Sequence, residues 1–356
     1  MPHPRGDAET VWRVKGGVRM AVLVTGAAGF IGMHVAQALL ARGETVIGVD
    51  NLNDYYPVAL KKARLAELEK SGGAFAFHCV DFADETALDA TLAGREIDRI
   101  VHLGAQAGVR YSIENPRAYA RSNLTGHLNI LELARSRRVR HLVYASSSSV
   151  YGANAALPFS VADRADHPVS LYAATKRADE LMSESYAHLY RLPQTGLRFF
   201  TVYGPWGRPD MAPWLFTRAI LAGEPIRVFN EGRMRRDFTY VDDVVTGALA
   251  ALDRPPADDG SEKAGGNRTP HALYNLGNNR AEALTDVIDL FEKACGVPAI
   301  RQLEPMQPGD VPATYADLTE ASRDLYFRPR TSIGEGIPRF VDWYRRHGAP
   351  IDAARG

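Results

Sequence analysis

Four consecutive serines, Ser146-Ser147-Ser148-Ser149, lead into Val150-Tyr151-Gly152, and a little further on comes Tyr172-Ala173-Ala174-Thr175-Lys176. A Tyr and a Lys four apart on a helix leave the same face, one turn apart. An ammonium in that place draws down the pKa of a phenol that otherwise titrates near ~10. Serines at the tip of a strand can offer a hydroxyl to the same centre. Tyr172 as base, Lys176 as its cation and Ser147, or else Ser149, as relay are the parts needed to take a proton from a sugar or alcohol oxygen. In isolation the helical pair is ordinarily a buried Tyr beside a surface Lys. The same chain, however, opens with a nucleotide-binding turn, so proton removal can be coupled to hydride removal.

That turn is Thr25-Gly26-Ala27-Ala28-Gly29-Phe30-Ile31-Gly32, between an apolar strand and a helix. Gly26, Gly29 and Gly32 permit a tight bend and close approach of backbone to a pyrophosphate seated on the helix N-terminus. Asp50 ends the next strand, eighteen residues past Gly32. A carboxylate there accepts from both ribose hydroxyls and repels a 2′-phosphate, so NAD is expected rather than NADP. Asp81 and Phe82 end the third strand, where adenine would lie. Leu103, Ala105 and Gln106 end the fourth, whose small residues let the cofactor pass close to the backbone. Phe30, Ile31, Asn51, Ala145, Phe199 and Val202 complete the expected cofactor set.

The elements that must position these residues alternate along the chain. Strand-like runs at 21–25, 44–49, 74–80, 99–103, 141–145 and 195–199 are separated by helical patterns at 30–42, 56–71, 85–92, 117–137 and 172–190. Such alternation argues for a parallel, doubly wound α/β sheet. Past residue 200 the pattern loosens. Pro205, Pro209 and Pro213 precede a helix at 214–222, then come short strands at 226–229 and 237–241 and a helix at 242–252. From Leu273 a further strand, a helix at 284–295 and a last helix near 337–346 follow. The Pro- and Gly-rich 254–271 stretch is expected to be a mobile surface loop. The sheet domain is assigned 20–200, with 236–272 returning to it. A smaller α/β substrate-binding lobe takes 201–235 and 273–346. Residues 1–19 are polar, hold no apolar core of signal-peptide length, and are expected to be a disordered extension or to precede a functional start at Met20.

Forty-two basic and forty-two acidic residues cancel, which removes any global field drawing the chain to nucleic acid or a membrane. No run approaches the ~18 apolar residues of a membrane span, and a cytoplasmic location is expected. Cys79 and Cys295, the only cysteines, are expected to be buried thiols with no disulfide or metal role.

With these residues placed, the chain resembles the extended short-chain dehydrogenase/reductases, and among them the NAD-dependent sugar-nucleotide epimerases, over about 20–344. The matching pieces are Gly26 to Gly32, Asp50, Asp81, Asn123, the serine run, Tyr172 with Lys176, and Arg236-Asp237-Phe238. The resemblance implies a Rossmann sheet, Asn123 and Lys176 positioning NAD, and Arg236 at the phosphates of a UDP-sugar, with Val228 and Asp310 on the same substrate side. Gln106-Ala107-Gly108-Val109-Arg110-Tyr111-Ser112 and the run from Phe199 through Thr201 and Arg208 to Met211 resemble UDP-glucuronate 4-epimerase signatures. That group must hold a substrate carboxylate. Arg208 and Arg110 are the candidates, since a planar guanidinium meets a carboxylate bidentately; each could instead serve the diphosphate or a neighbouring Asp. Thr201 leaves space near carbon 6. Ser148 and Ser149 stand where similar dehydratases carry an Asp-Glu pair and decarboxylases a Glu. This argues against elimination and, more weakly, against decarboxylation.

The activity implied is inversion of carbon 4 of a UDP-hexuronic acid, UDP-glucuronate to UDP-galacturonate. Tyr172 accepts the 4-hydroxyl proton, hydride passes to NAD, and the 4-ketone swings about its diphosphate linkage before taking the hydride back. NAD then stays bound and is regenerated each turnover. A UDP-glucose/UDP-galactose epimerase, a UDP-glucuronate decarboxylase of the same fold, and a non-catalytic NAD-binding protein remain open. A homodimer built on the helices at 117–137 and 172–190 is also implied, although core packing explains their apolar positions equally well.

Overall fold

The computed structural model describes residues 13–14, 17–18, 20–307 and 309–353. Seven strands form one parallel sheet in the order His271–Leu276, Gln194–Phe199, His141–Ser147, Ile97–His102, Ala21–Thr25, Thr45–Asp50, Phe75–Cys79. Parallel strands covered on both faces read as continuous apolar runs, and Ala21–Thr25 is buried at every residue. Val22 and Val24 pack on one face with Val35, Leu39 and Val244; Ala21 and Leu23 pack on the other with Leu88, Ile130 and Leu142. The chain lays its first three strands outward from Ala21–Thr25, then returns with Ile97–His102 on the opposite side. A crevice therefore opens between those two strands at their carboxyl ends, the usual seat of a ligand in such sheets.

Several expectations are corrected. Cys79 is exposed, because Phe75–Cys79 is the sheet's edge strand; Cys295 is buried. The helix expected over 117–137 runs from Pro116 to Ser136 with a π-helical turn, Ala120–Thr125, set between its α-helical parts Pro116–Tyr119 and Gly126–Ser136, and a separate short helix, Tyr111–Glu114, precedes it. The last long helix begins at Ile333, since Ser332 and Glu335 close a capping box and Pro338 lies inside the helix. The 254–271 stretch lies mostly at the surface, as expected, and is tied down toward its end: Ala264 is buried, its carbonyl accepts from the Leu273 amide, and the Thr269 hydroxyl donates to Glu184. Of residues 1–19 only Arg13–Val14 and Gly17–Val18 are described, as an antiparallel pair. The expectation for the rest of that stretch lies outside the described residues.

After residue 200, Thr201–Tyr203, Arg235–Tyr240 and Ala281–Ala283 form a small mixed sheet, and Pro225–Phe229 pairs in parallel with Ile300–Glu304. Helices Ala212–Ala222, Leu284–Cys295 and Ile333–Trp343 surround an aromatic core that includes Trp214, Phe238, Phe291, Phe340 and Trp343. Leu60, from helix Val58–Lys70, belongs to that core and anchors the segment after the second strand to it. Among the described residues no helix is long and apolar enough to cross a membrane.

Candidate active site

A cavity of about 1000 Å³ follows the carboxyl ends of the strands and continues between sheet and lobe. That is the upper end for a pocket holding one small ligand, and suits two. Its floor is the glycine turn. Gly26 has φ +69°, and a Cβ on Gly32 would lie 2.0 Å from the Gly26 carbonyl oxygen, so neither position accepts a side chain. Gly29, Phe30 and Ile31 line the cavity beside them. Asp50 is buried and accepts from the Leu52 amide at 2.9 Å. Burial pushes its carboxyl up, with Lys61 the main opposing influence. A cradle without side chains next to a buried carboxylate fits a dinucleotide.

The walls hold most of the remaining cofactor set: Asn51, Phe82, Leu103, Ala105, Gln106, Ala145, Phe199 and Val202. Two expected members do not line the cavity. Asp81 accepts from the Ala83 amide and from Arg121, 2.9 Å in each case. Asn123, fully buried, accepts from the Gln106 amide at 2.9 Å, donates to the Gln106 carbonyl at 3.1 Å and to Thr175 Oγ1 at 2.9 Å. The π turn brings Asn123 to this clamp.

Ser170 caps helix Leu171–Tyr190 by accepting from the Ala173 amide at 3.1 Å. That fixes the first turn, where Tyr172 lines the cavity with its ring edge-on to Tyr119 at 6.1 Å. Lys176, one turn on, is buried; its Nζ donates to the Ala145 carbonyl at 3.0 Å and to Asp179 Oδ2 at 2.9 Å. Burial raises the Asp179 carboxyl to about 6, against the pull of Lys176. Ser147 Oγ accepts from the Ser149 amide at 3.1 Å, and Ser147, Ser148 and Ser149 all line the cavity. Ser146 is committed elsewhere, to Glu180 Oε1 at 2.6 Å.

On the lobe side, Thr201, Arg208, Arg110, Arg236 and Asp310 all reach the cavity. Arg208 does not present an open fork. Its Nε donates to Asp210 at 3.0 Å, its Nη2 also reaches Asp210, and its Cζ lies 5.9 Å from the Tyr55 ring centroid. Bidentate capture of a ligand by Nε and Nη2 requires Asp210 to move. Arg110 turns to Asp310 at 3.5 Å and to the Phe229 ring at 4.5 Å. It thereby joins Arg236, whose charge is felt together with those of Asp310 and Arg110. Val228 is buried in the lobe core and does not itself line the cavity, although Ile226, Arg227 and Phe229 of the same strand do.

Several participants were not read from the sequence. Tyr55, Tyr111 and Tyr119 form a ring cluster, with Tyr55 donating to Asp210 at 3.0 Å and Tyr119 to the Ala107 carbonyl at 3.0 Å. The Tyr55-Tyr56 doublet just after the Asp50 strand was the available signal. Glu180 and Arg198 form a fully buried two-bond pair at 2.8 Å each beneath the serines.

A model of the NAD dependent epimerase/dehydratase family matches residues 22–265. The chain is 50% identical over 333 residues to a probable UDP-glucuronate 4-epimerase of Rhizobium meliloti (strain 1021), covering 91% of this chain and 97% of that one. It is 47% identical over 340 residues to UDP-glucuronate 4-epimerase 2 of Arabidopsis thaliana, covering 93% and 77%. Among solved structures, the UDP-glucuronic acid 4-epimerase of Bacillus cereus in complex with UDP-glucuronic acid and NAD matches with a TM-score of 0.80 and 32% identity, over 92% of this chain and 99% of that one. The UDP-glucose 4-epimerase of Thermotoga maritima with UDP-glucose gives 0.81 and 30%, over 92% and 99%. Backbone likeness does not separate the two sugars.

Proposed function

The chain belongs to the NAD-dependent epimerase/dehydratase family, and we infer that it inverts carbon 4 of UDP-glucuronate to give UDP-galacturonate, with NAD retained throughout. The observation that carries this is a single cavity holding Tyr172, Lys176 and Ser147 between the glycine turn and the pair Thr201 and Arg208. Gly26 to Gly32, Asp50 and the strand ends from Phe82 to Val202 hold NAD, which when bound supplies a reversible hydride acceptor for the sugar. Tyr172 takes the 4-hydroxyl proton and keeps it on its phenolic oxygen until the alcohol re-forms, with Ser147 steadying the transfer. Lys176 is held in place for this by the Ala145 carbonyl and Asp179.

Thr201 and Arg208 hold the sugar acid. A 4-ketone beside that acid is a β-keto acid, which loses carbon dioxide when its carboxylate stands perpendicular to the carbonyl. Charge-assisted hydrogen bonds keep it from that pose. Arg236 and Arg110 serve the diphosphate, Asp310 the ribose, and Phe229 offers a face to the base. A homodimer covers the exposed Leu128, Leu181 and Leu189 on helices Gly126–Ser136 and Leu171–Tyr190. The exposed free thiol of Cys79 suits the reducing cytoplasm.

One observation favours a neutral UDP-hexose instead: Asp210 already occupies two nitrogens of Arg208. Incubating purified protein with UDP-glucuronate or UDP-glucose, without added cofactor, and separating the nucleotide sugars decides between them. UDP-galacturonate is the expected product; turnover of UDP-glucose alone, or a UDP-pentose from UDP-glucuronate, overturns the reading.

A further inference from the structure

Arg64, on helix Val58–Lys70, is fully buried and makes five hydrogen bonds, none of them to a carboxylate. Nη1 donates to the Ala28 carbonyl at 3.0 Å and to Tyr56 OH at 2.8 Å. Nε and Nη2 both donate to the Trp206 carbonyl, at 3.1 and 2.7 Å, and Nη2 also reaches the Gly207 carbonyl at 3.1 Å. One guanidinium therefore joins the pyrophosphate turn to the residues immediately before Arg208. A buried charge hydrogen-bonded only to neutral acceptors is costly to build, and the buried Asp50 carboxylate is the anion whose charge it feels. This one stands behind a cavity in which two anions, a pyrophosphate and a sugar acid, would dock.

The backbone it grips is unusual. Trp206 has φ +63°, a left-handed conformation that bulky side chains rarely adopt. Its carbonyl is the acceptor shared by two Arg64 nitrogens, and its ring packs on Trp343 at 5.2 Å and on His347 at 5.6 Å. We propose that Arg64 is a positioning residue that locks the Ala28 turn and the Trp206–Gly207 carbonyls into one frame, so that Arg208 is presented to the sugar acid in register with the cofactor turn. Lysine cannot replace it, because a point charge on a flexible stem does not span three segments as a rigid five-donor fork does. The inference rests on UDP-glucuronate being the substrate.

The test compares wild type, Arg64→Lys, Arg208→Gln and the double variant, all normalised to bound NAD. It reads the KM for UDP-glucuronate and the inhibition constant of UDP, which lacks the sugar carboxylate. Arg64→Lys is expected to raise KM about tenfold, the loss of one hydrogen bond to a charged group, while UDP inhibits as in wild type. In the Arg208→Gln background the same change is expected to add nothing further. KM and the UDP constant rising together, or an effect that persists without Arg208, overturns the proposal. If Arg64→Lys does not fold, amide exchange in the wild-type holoenzyme decides: UDP-glucuronate, and not UDP, should slow exchange at 27–29 and 206–208 together. Slowing confined to 206–208 counts against it. Wild type that leaves UDP-glucuronate unconverted contradicts the substrate reading instead, and is told apart by that control.

Discussion

Tyr172 meets solvent and ligand space through one half-buried ring, while Lys176 is fixed at both of its hydrogen bonds. Replacing Tyr172 by Phe is expected to lower kcat by ~10²–10⁴-fold, the loss of a general base, with NAD still present in the purified protein. A wild-type rate would remove Tyr172 from that role. Arg208→Ala is expected to raise KM for UDP-glucuronate and to release a fraction of UDP-pentose, visible by chromatography of the products; unaltered kinetics would take Arg208 out of the site. At this scale the sequence was legible where chemistry depends on spacing along one element. The glycine turn and the Tyr172–Lys176 pair fold locally, so their geometry is written in their separation. Asp210 on Arg208 is a partner two residues away, and a neighbouring Asp was among the roles open to Arg208 from the sequence; Tyr55 on Asp210 and Phe229 beside Arg110 were not legible, because those contacts join segments whose meeting is decided by how the lobe packs.

Helix Leu171–Tyr190 owes its setting to charges under it as much as to its apolar face. Glu180 accepts from Ser146 and from two nitrogens of Arg198, linking the helix to strands His141–Ser147 and Gln194–Phe199. Burial alone would raise the Glu180 carboxyl, but Arg198 reverses this and holds it below the usual range. Removing one partner leaves the other charged and buried, so Glu180→Leu is expected to destabilise the fold by ~3–5 kcal/mol in urea unfolding. Changing both partners to apolar residues should recover most of that loss; equal loss in the single and double variants would count against the pairing. The central strands and helices were readable because buried parallel strands are continuously apolar. The strands Thr201–Tyr203, Ala281–Ala283 and Ile300–Glu304 were not, since such short runs exist only through their distant partners. The π turn at Ala120–Thr125 is not legible in the sequence for a similar reason: Asn123 clamps Gln106, seventeen residues away.

Across the whole molecule, buried imidazoles set the response to acid. Burial lowers His102 to about 3 and His34 and His141 to about 4, and takes His127 well below its ordinary value. These groups are neutral when folded and bind protons near ~6.5 when unfolded. Their stabilisation is complete above that value and is lost as pH falls toward 4, each adding up to ~1.4 kcal/mol per pH unit to the slope. Burial also raises the carboxyls of Asp50, Asp179, Asp237 and Asp242, the second and third to about 6, and these act in the opposite sense, while Glu180, Glu184 and Asp210, held low against their burial by Arg198, His271 and Arg208, act with the imidazoles. Urea unfolding is therefore expected to show falling stability on acidification below pH 6.5, and a flat profile would contradict the buried neutral state. The most direct measurement of all concerns the hydrogen on carbon 4. UDP-glucuronate deuterated there, given to the purified protein without added cofactor, is expected to yield UDP-galacturonate that still carries the deuterium at carbon 4. Product bearing solvent hydrogen at that carbon, or no change at carbon 4, would contradict a hydride lent to a retained NAD and returned to the opposite face.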